Sequence, residues 1–365
     1  LGCLNNLGTC LLLRFEQFGN IVDIDRAISV HECAVHLTPD GHAEKPGRLI
    51  NLGSSFECRF ERSGDLADIH KAISALEHAD HLTSDSCAEK SGCLGTLSTS
   101  FLAHFEHSGD LVDIDKAVSA HERAVHLIPD GHADNPGRLH NLGTSFLLCF
   151  EHSGNIVNID NAISALERAA DLVPDGHAKK HTCLNNLGNS FTARFSRSGD
   201  LVDIDKAISV HERAVHLTPD SHAEKPACLN SLGNSFLLHS RHSGDLVDID
   251  RAITAHKCAV HLTPDGHAKK PGCLNNLSSS FLRHFEHSRD LVDIDKAVSA
   301  HEQAVHLTPD GHAIQPCHLN SLSSSLLLRF ECSRDLIDID RAVSVHERAV
   351  HLTPDGHFAS TNLEI

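Results

Sequence analysis

The leucine of an LG or LS step falls at Leu7, Leu52, Leu97, Leu142, Leu187, Leu232, Leu277 and Leu322, so a unit of 45 residues recurs eight times without insertion or deletion. A fixed period of this size belongs to arrays whose units cannot bury their apolar faces alone and must stack on their neighbours. Eight copies take up 360 of the 365 residues and leave no stretch for a separate catalytic or linker domain. The expected organisation is one elongated domain over residues 1–365, with repeats at 3–47, 48–92, 93–137, 138–182, 183–227, 228–272, 273–317 and 318–362. Such a body offers surface rather than a deep pocket, which favours binding over chemistry.

The third copy illustrates the unit. Leu94, Leu97, Phe101 and Phe105 recur at steps of three and four, the spacing of one helix face. Ser108, Gly109 and Asp110 break the pattern, and Asp110 and Asp113 can serve as N-cap and first-turn acid of a second helix. That helix carries Ile114, Ala117, Val118, His121, Ala124 and Val125 on one stripe, and Pro129, Asp130 and Gly131 are expected to stop it. Each unit is therefore predicted to be an antiparallel pair, helix A then helix B. The whole chain is all-α, with sixteen principal helices and no strand, since no unit has a period-two run. Repeat two should be the softest, because Asp80 replaces a core valine and Ser84 the helix-stopping proline.

Two alanines mark helix B throughout: Ala27, Ala72, Ala117, Ala162, Ala207, Ala252, Ala297 and Ala342, each with another seven residues on, from Ala34 to Ala349. With the LG step, the aromatic slot at Phe56, Phe101, Phe146, Phe191, Phe236 and Phe281, and Pro39 after Ala34, this pattern resembles the tetratricopeptide repeat. The likeness covers all eight units. It departs in one respect: Leu7 to Ala27 spans 20 residues, seven more than in the family, which calls for helices about one turn longer on each side of the hairpin. Kinesin light chain-type arrays are similar in this way. The string around NNLG, RFE, SGDLVDIDKAIS and ERAVHLTPDGH also resembles tandem arrays of mushroom-type fungi that often precede a CHAT (caspase-like) peptidase domain, which this chain does not contain. The resemblance implies a right-handed superhelical solenoid of eight antiparallel helix pairs whose helix A faces line a concave groove.

The formal charge of −18, without any Lys/Arg run, argues against nucleic acid as a partner, since that binding needs basic surface against phosphates. No apolar run approaches the length of a membrane span, and no signal-type N-terminus is present. The 13 cysteines form no CxxC and mostly occupy equivalent slots, too far apart in stacked units for disulfides. Reduced thiols in a cytoplasmic setting are expected. The chain starts inside a repeat and has no Met, which reads as a fragment of a longer protein with uncapped ends prone to self-association.

Helix B carries HERAVH at 211–216 and 346–351, one residue too long for the HExxH zinc motif, because a five-residue step puts the two imidazoles on different faces. No metal or other cofactor is expected. His31, His121, His211, His256, His301 and His346 take a packing slot that Leu76 and Leu166 fill in the other units, so neutral imidazoles in the seam are expected. The sets from His36 to His351 and in the GH turns at His42, His132, His177, His222, His267, His312 and His357 should be solvated. The DLVDID acids lack EF-hand spacing and are read as helix caps. No recurring nucleophile or phosphate-binding loop is present, so no catalytic residue is assigned.

What remains is a ladder on helix A opposite the apolar stripe of Leu4, Leu7 and Phe56: Asn5, Thr9, Thr144, Asn185, Asn189, Asn230, Asn234, Asn275 and Asn320. An amide both donates to and accepts from the backbone of an extended peptide. In the family, chaperone-binding members use lysine and arginine beside asparagine in these slots; here those cations are missing, which argues against chaperone C-termini. The sequence thus points to a non-enzymatic scaffold for proteins or peptides. The alternative is a regulatory or sensing region of a larger signalling protein with a CHAT-type protease or nucleotide-binding switch.

Overall fold

A computed structural model describes residues 2–85, 88–129, 131–177 and 179–353. Among the described residues there are sixteen α-helices and no strand. In order they are α1 (Gly2–Phe18), α2 (Ile21–His36), α3 (Lys45–Ser63), α4 (Leu66–Leu82), α5 (Ala88–Ser108), α6 (Leu111–His126), α7 (Asn135–Ser153), α8 (Ile156–Leu172), α9 (Lys180–Ser198), α10 (Leu201–Leu217), α11 (Lys225–Ser243), α12 (Leu246–Leu262), α13 (Lys270–Ser288), α14 (Leu291–Leu307), α15 (Gln315–Ser333) and α16 (Leu336–Leu352). Odd helices are the A members and even helices the B members of the pairs. The chain divides into two compact units, Leu1–Pro174 with α1 to α8 and Asp175–Ile365 with α9 to α16.

Within each unit the construction is the same. Each odd helix folds back on the even helix that follows, and each even helix packs on the next odd one. Consecutive odd helices also touch (α1 with α3, α3 with α5, α9 with α11, α11 with α13, α13 with α15), whereas no comparable packing joins consecutive even helices among the described residues. The odd helices therefore form the inner row of each unit.

Local chemistry fixes the ends. Asn20, Asp65, Asp110, Asn155, Asp200, Asp245, Asp290 and Asp335 each accept a hydrogen bond from the backbone N–H two residues on and so cap the even helices. The preceding residue is left-handed, glycine in the first six pairs and Arg289 (φ 57°) and Arg334 (φ 60°) in the last two. The proline after helix B acts through the residue before it: Thr218, before Pro219, is extended (ψ 117°), and the helix is over at Leu217. Asp130, expected in such a stop, lies outside the described residues, as does His357.

The seam alanines Ala27, Ala72, Ala117, Ala162, Ala207, Ala252 and Ala297 are fully buried, together with Ala34, Ala79, Ala124, Ala169, Ala214, Ala259 and Ala304. Side chains this small let α-helices approach closely. The Leu94, Leu97, Phe101 and Phe105 face is buried as its spacing predicts. In α1 the matching stripe is buried at Leu11 and Phe15 but open at Leu7, whose counterparts in later repeats are covered by the preceding even helix.

Asp113 is a first-turn acid of α6, as its position predicts, and it is also buried and bonded to His104 across the hairpin. In repeat two the Asp80 carboxylate meets Lys90 Nζ at 2.8 Å and Arg123 at 3.1 Å.

Candidate functional site

The seam histidines set the geometry of the inner row. His31, His121, His211, His256 and His301 are buried, while His346 is exposed, since in α16 no following odd helix covers that face. His211 Nε2 lies 3.2 Å from the Asn185 carbonyl and its Nδ1 2.9 Å from Ser235 Oγ of the next pair. A carbonyl can only accept, so Nε2–H donates to it; in the neutral ring Nδ1 is then the acceptor that faces the Ser235 hydroxyl, which also lies 3.2 Å from the Ser231 carbonyl. His31 repeats this with Asn5 and Ser55, and His256 with Asn230 and Ser280. Burial pushes the His121, His211, His256 and His301 imidazoles down to about 4, and that of His31 below its ordinary value.

Whether Nε2 finds a carbonyl depends on the residue opposite. His31, His211 and His256 face Gly8, Gly188 and Gly233. In the pairs of His121 and His301 that glycine is Ser98 or Ser278, whose hydroxyl donates to the Ala117 or Ala297 carbonyl, and Nε2 of the histidine is left without a partner. The histidines are thus packing elements that hold consecutive pairs together. His211 is buried and His216 exposed, so HERAVH presents its two rings to different surroundings.

The sequence-derived ladder residues lie on the odd helices, Asn5, Thr9 and Thr144 in the first unit and Asn185, Asn189, Asn230, Asn234, Asn275 and Asn320 in the second. All are half-buried except Asn234, which is exposed. Asn5 Oδ1 accepts from Asn51 of the next pair at 3.1 Å, and Asn230 Oδ1 from Asn276 at the same distance. Asn185 and Asn275 lack that donor, because the next pair carries Ser231 or Ser321 in place of asparagine, and their Oδ1 atoms have no partner. Thr9 and Thr144 hydroxyls donate to the carbonyls four residues back, and Asn189 Oδ1 lies 3.2 Å from His211 Nε2.

Several groups escaped the sequence reading. Lys45, Lys90, Lys225 and Lys270 are buried, and each ammonium donates to the last carbonyls of the preceding even helix, for Lys225 those of Val215 (2.8 Å) and Thr218 (2.7 Å). They neutralise the negative end of that helix. Buried carboxylates of the even helices are held by a side chain nine residues earlier: Arg14 to Asp23, Arg59 to Asp68, His104 to Asp113, Arg194 to Asp203, His239 to Asp248, His284 to Asp293 and Arg329 to Asp338. Where the acid becomes Asn158, the cation becomes Cys149, and the amide donates to the thiol. The second regularity was visible as two residues changing in step. In the first unit Glu57 takes a slot that is leucine in most repeats, and its burial, with Glu61 nearby, pushes its carboxyl up to about 7.

The GH-turn histidines are exposed, and Nδ1 of His42, His132, His177, His222, His267 and His312 accepts the backbone N–H two residues on. Among the described residues, no group of three or more His, Cys, Asp or Glu side chains converges on a metal position, and no helix is long and apolar enough to cross a membrane. A cavity lined by Ser323, Leu327, Ala342, Val343 and His346 occupies the face that receives an odd helix in the earlier pairs, so it is a packing face. One further exposed feature recurs: the first turn of the even helices presents Val22, Val112, Val157, Val202, Val247 and Val292 to solvent.

Residues 182–222 match the family model of the tetratricopeptide repeat, a stretch that contains the α9/α10 pair apart from its first two residues. The C-terminal part of a TPR repeat-containing protein from Cytophaga hutchinsonii superposes on 87% of this chain and 99% of its own length, with 14% identity and a TM-score of 0.54. Kinesin light chain-type repeats of Podospora anserina align over 59% of this chain and 97% of theirs, at 15% identity and a TM-score of 0.45. A thermophilic TPR protein of Thermus thermophilus aligns over 65% and 99%, at 17% identity and a TM-score of 0.44. The Cytophaga likeness shows the fold, a helical solenoid of this kind. No curated protein matches the sequence.

Proposed function

We propose that this chain, a tandem array of tetratricopeptide-type helix pairs, is a non-enzymatic scaffold that binds an extended protein segment along its odd helices. The observation that carries this reading is the alternation in the second unit. Asn230 Oδ1 is satisfied by Asn276, while the flanking Asn185 and Asn275 Oδ1 atoms have no donor. A buried acceptor without a partner costs stability, about 1–3 kcal/mol in proteins, and rotation of these half-buried amides toward solvent lets an incoming backbone N–H remove that cost. Half-buried Asn189 and Asn320 and exposed Asn234 extend the same row of amides. An acidic chain without a Lys/Arg run directs the search to proteins rather than to nucleic acid.

A reducing, cytoplasmic setting goes with this reading. Cys93, Cys183, Cys228 and Cys273 are buried in the core as thiols, and burial pushes Cys93 up to about 12, far from the reactive thiolate range.

The test is selection from a displayed library of unstructured peptides against the full chain, followed by affinity measurement with Asn185→Ala and Asn275→Ala. Peptides that bind the wild type at least tenfold more tightly than the double variant support the reading. Peptides indifferent to both substitutions, or none selected at all, overturn it.

A further inference from the structure

At the inter-pair junctions an exposed acid of an even helix faces the cation of the next odd helix, which also holds its own buried carboxylate. Arg59 bridges Asp25 (2.9 Å) and Asp68, and Arg329 bridges Asp295 (3.2 Å) and Asp338. His239 and His284 do the same more loosely, with Nε2 3.6 Å from Asp205 and Asp250. The α4/α5 junction breaks the rule. His70 stands in the aspartate slot and His104 in the cation slot, and their Nε2 atoms lie 2.9 Å apart with the rings tilted by 50°. His104 Nδ1 is bonded to the Asp113 carboxylate, which can only accept; Nδ1 therefore carries the hydrogen and Nε2 turns a lone pair toward His70.

We propose that His70 and His104 form a two-imidazole site for a late first-row divalent ion of the nickel or copper type, with Asp113 orienting His104. The spacing selects the coordination. With metal–nitrogen bonds of about 2.0–2.1 Å, two ligands at a right angle stand about 2.8–3.0 Å apart, whereas a tetrahedral ion needs about 3.3–3.4 Å. The observed 2.9 Å fits adjacent positions of a square-planar or octahedral ion, the geometry that nitrogen and oxygen ligands give copper and nickel. A carboxylate behind the ligand histidine fixes its tautomer and ring orientation, as in other histidine metal sites. Both rings sit on well-formed helices rather than loops, and His70 is exposed, which leaves room for water to complete the shell. The ion pins α4 to α5 at a junction that lacks the usual charge pair.

The experiment uses the full chain and Ni²⁺, which does not oxidise thiols. The substitutions His70→Asp and His104→Arg, singly and together, restore the Asp25–Arg59 arrangement of the neighbouring junction and so leave the fold in place, checked by circular dichroism. Under competition from a chelating dye, the wild type should retain about one more Ni²⁺ than each variant, and Ni²⁺ should raise the unfolding temperature of the wild type alone. The many other histidines are common to all these proteins and cancel. Asp113→Asn should weaken retention on the order of tenfold or more. Equal retention and equal thermal shifts in wild type and double variant would overturn the proposal and leave the pair a hydrogen bond between neutral rings. Unchanged retention in Asp113→Asn would overturn the part given to Asp113.

Discussion

Gly188 and His211 occupy one volume: a Cβ built on Gly188 would fall 2.3 Å from His211 Nε2 and 2.4 Å from its Cδ2. The glycine is there to let the imidazole reach the Asn185 carbonyl, which lies one turn back on the same helix. Replacing an interior helical glycine by alanine ordinarily gains up to about 1 kcal/mol. Gly188→Ala is expected to reverse that sign and cost about 1–3 kcal/mol through overpacking. Gly272→Ala, in α13 with nothing within 4 Å, is the control and should be neutral or stabilising. Urea denaturation of the three proteins decides it; equal stability of both variants would mean that the ring moves aside freely.

The buried imidazoles make stability depend on pH with a definite sign. His121, His211, His256 and His301 titrate near 4 in the folded chain, below the unfolded value of 6.5, so the unfolded state binds more protons below that value. Stability is therefore full at neutral pH, declines as pH falls from about 6.5 to about 4, and levels off beneath, at up to about 1.4 kcal/mol per pH unit per site. Changing these four to leucine, the residue at Leu76 and Leu166, should flatten the profile in that window. Denaturation curves across the window check this, and a slope as steep in the variant as in the wild type would contradict it.

Glu57 works in the opposite direction. Its carboxyl titrates near 7 in the folded chain and at 4.5 in the reference state, so the folded state binds more protons between those values and stability falls as pH rises through them. Glu57→Leu, the residue of Leu12, Leu102 and Leu147, should be worth roughly 3 kcal/mol above about pH 7 and none of that below about pH 4.5. A gain that did not vary with pH would trace to packing alone.

Arg289 holds a left-handed conformation (φ 57°) where six other pairs have glycine. Its guanidinium sits 5.6 Å from the Phe285 ring centre, which offsets part of the strain. Arg289→Gly should stabilise by about 0.5–1 kcal/mol in thermal or urea unfolding, and a loss would show that the ring contact outweighs the backbone strain.

The period, the helix pairs and the burial of Leu97, Phe101 and Ala117 were legible because they rest on spacings of three, four and seven within one helix. The fate of Asp113 was not, since its partner His104 sits across a hairpin and a first-turn acid is already explained by capping. Reading two columns together would have found it, because Asn158 and Cys149 change in step where Asp and Arg or His stand elsewhere. The asparagine ladder can be listed from the sequence, but which of its amides already have a partner depends on contacts such as Asn51 to Asn5, made between pairs. His346 shows the same limit: its slot is buried only where another odd helix packs on it.

Hydrogen exchange of the full chain, with and without a peptide selected against it, tests most directly whether the odd-helix row is the proposed binding surface. Binding there gives new protection on α9, α11 and α13, around Asn185, Asn230 and Asn275, with the first turns of the even helices unchanged. Protection confined to those first turns, around Val202, Val247 and Val292, would contradict it and move the binding surface to the exposed apolar edge.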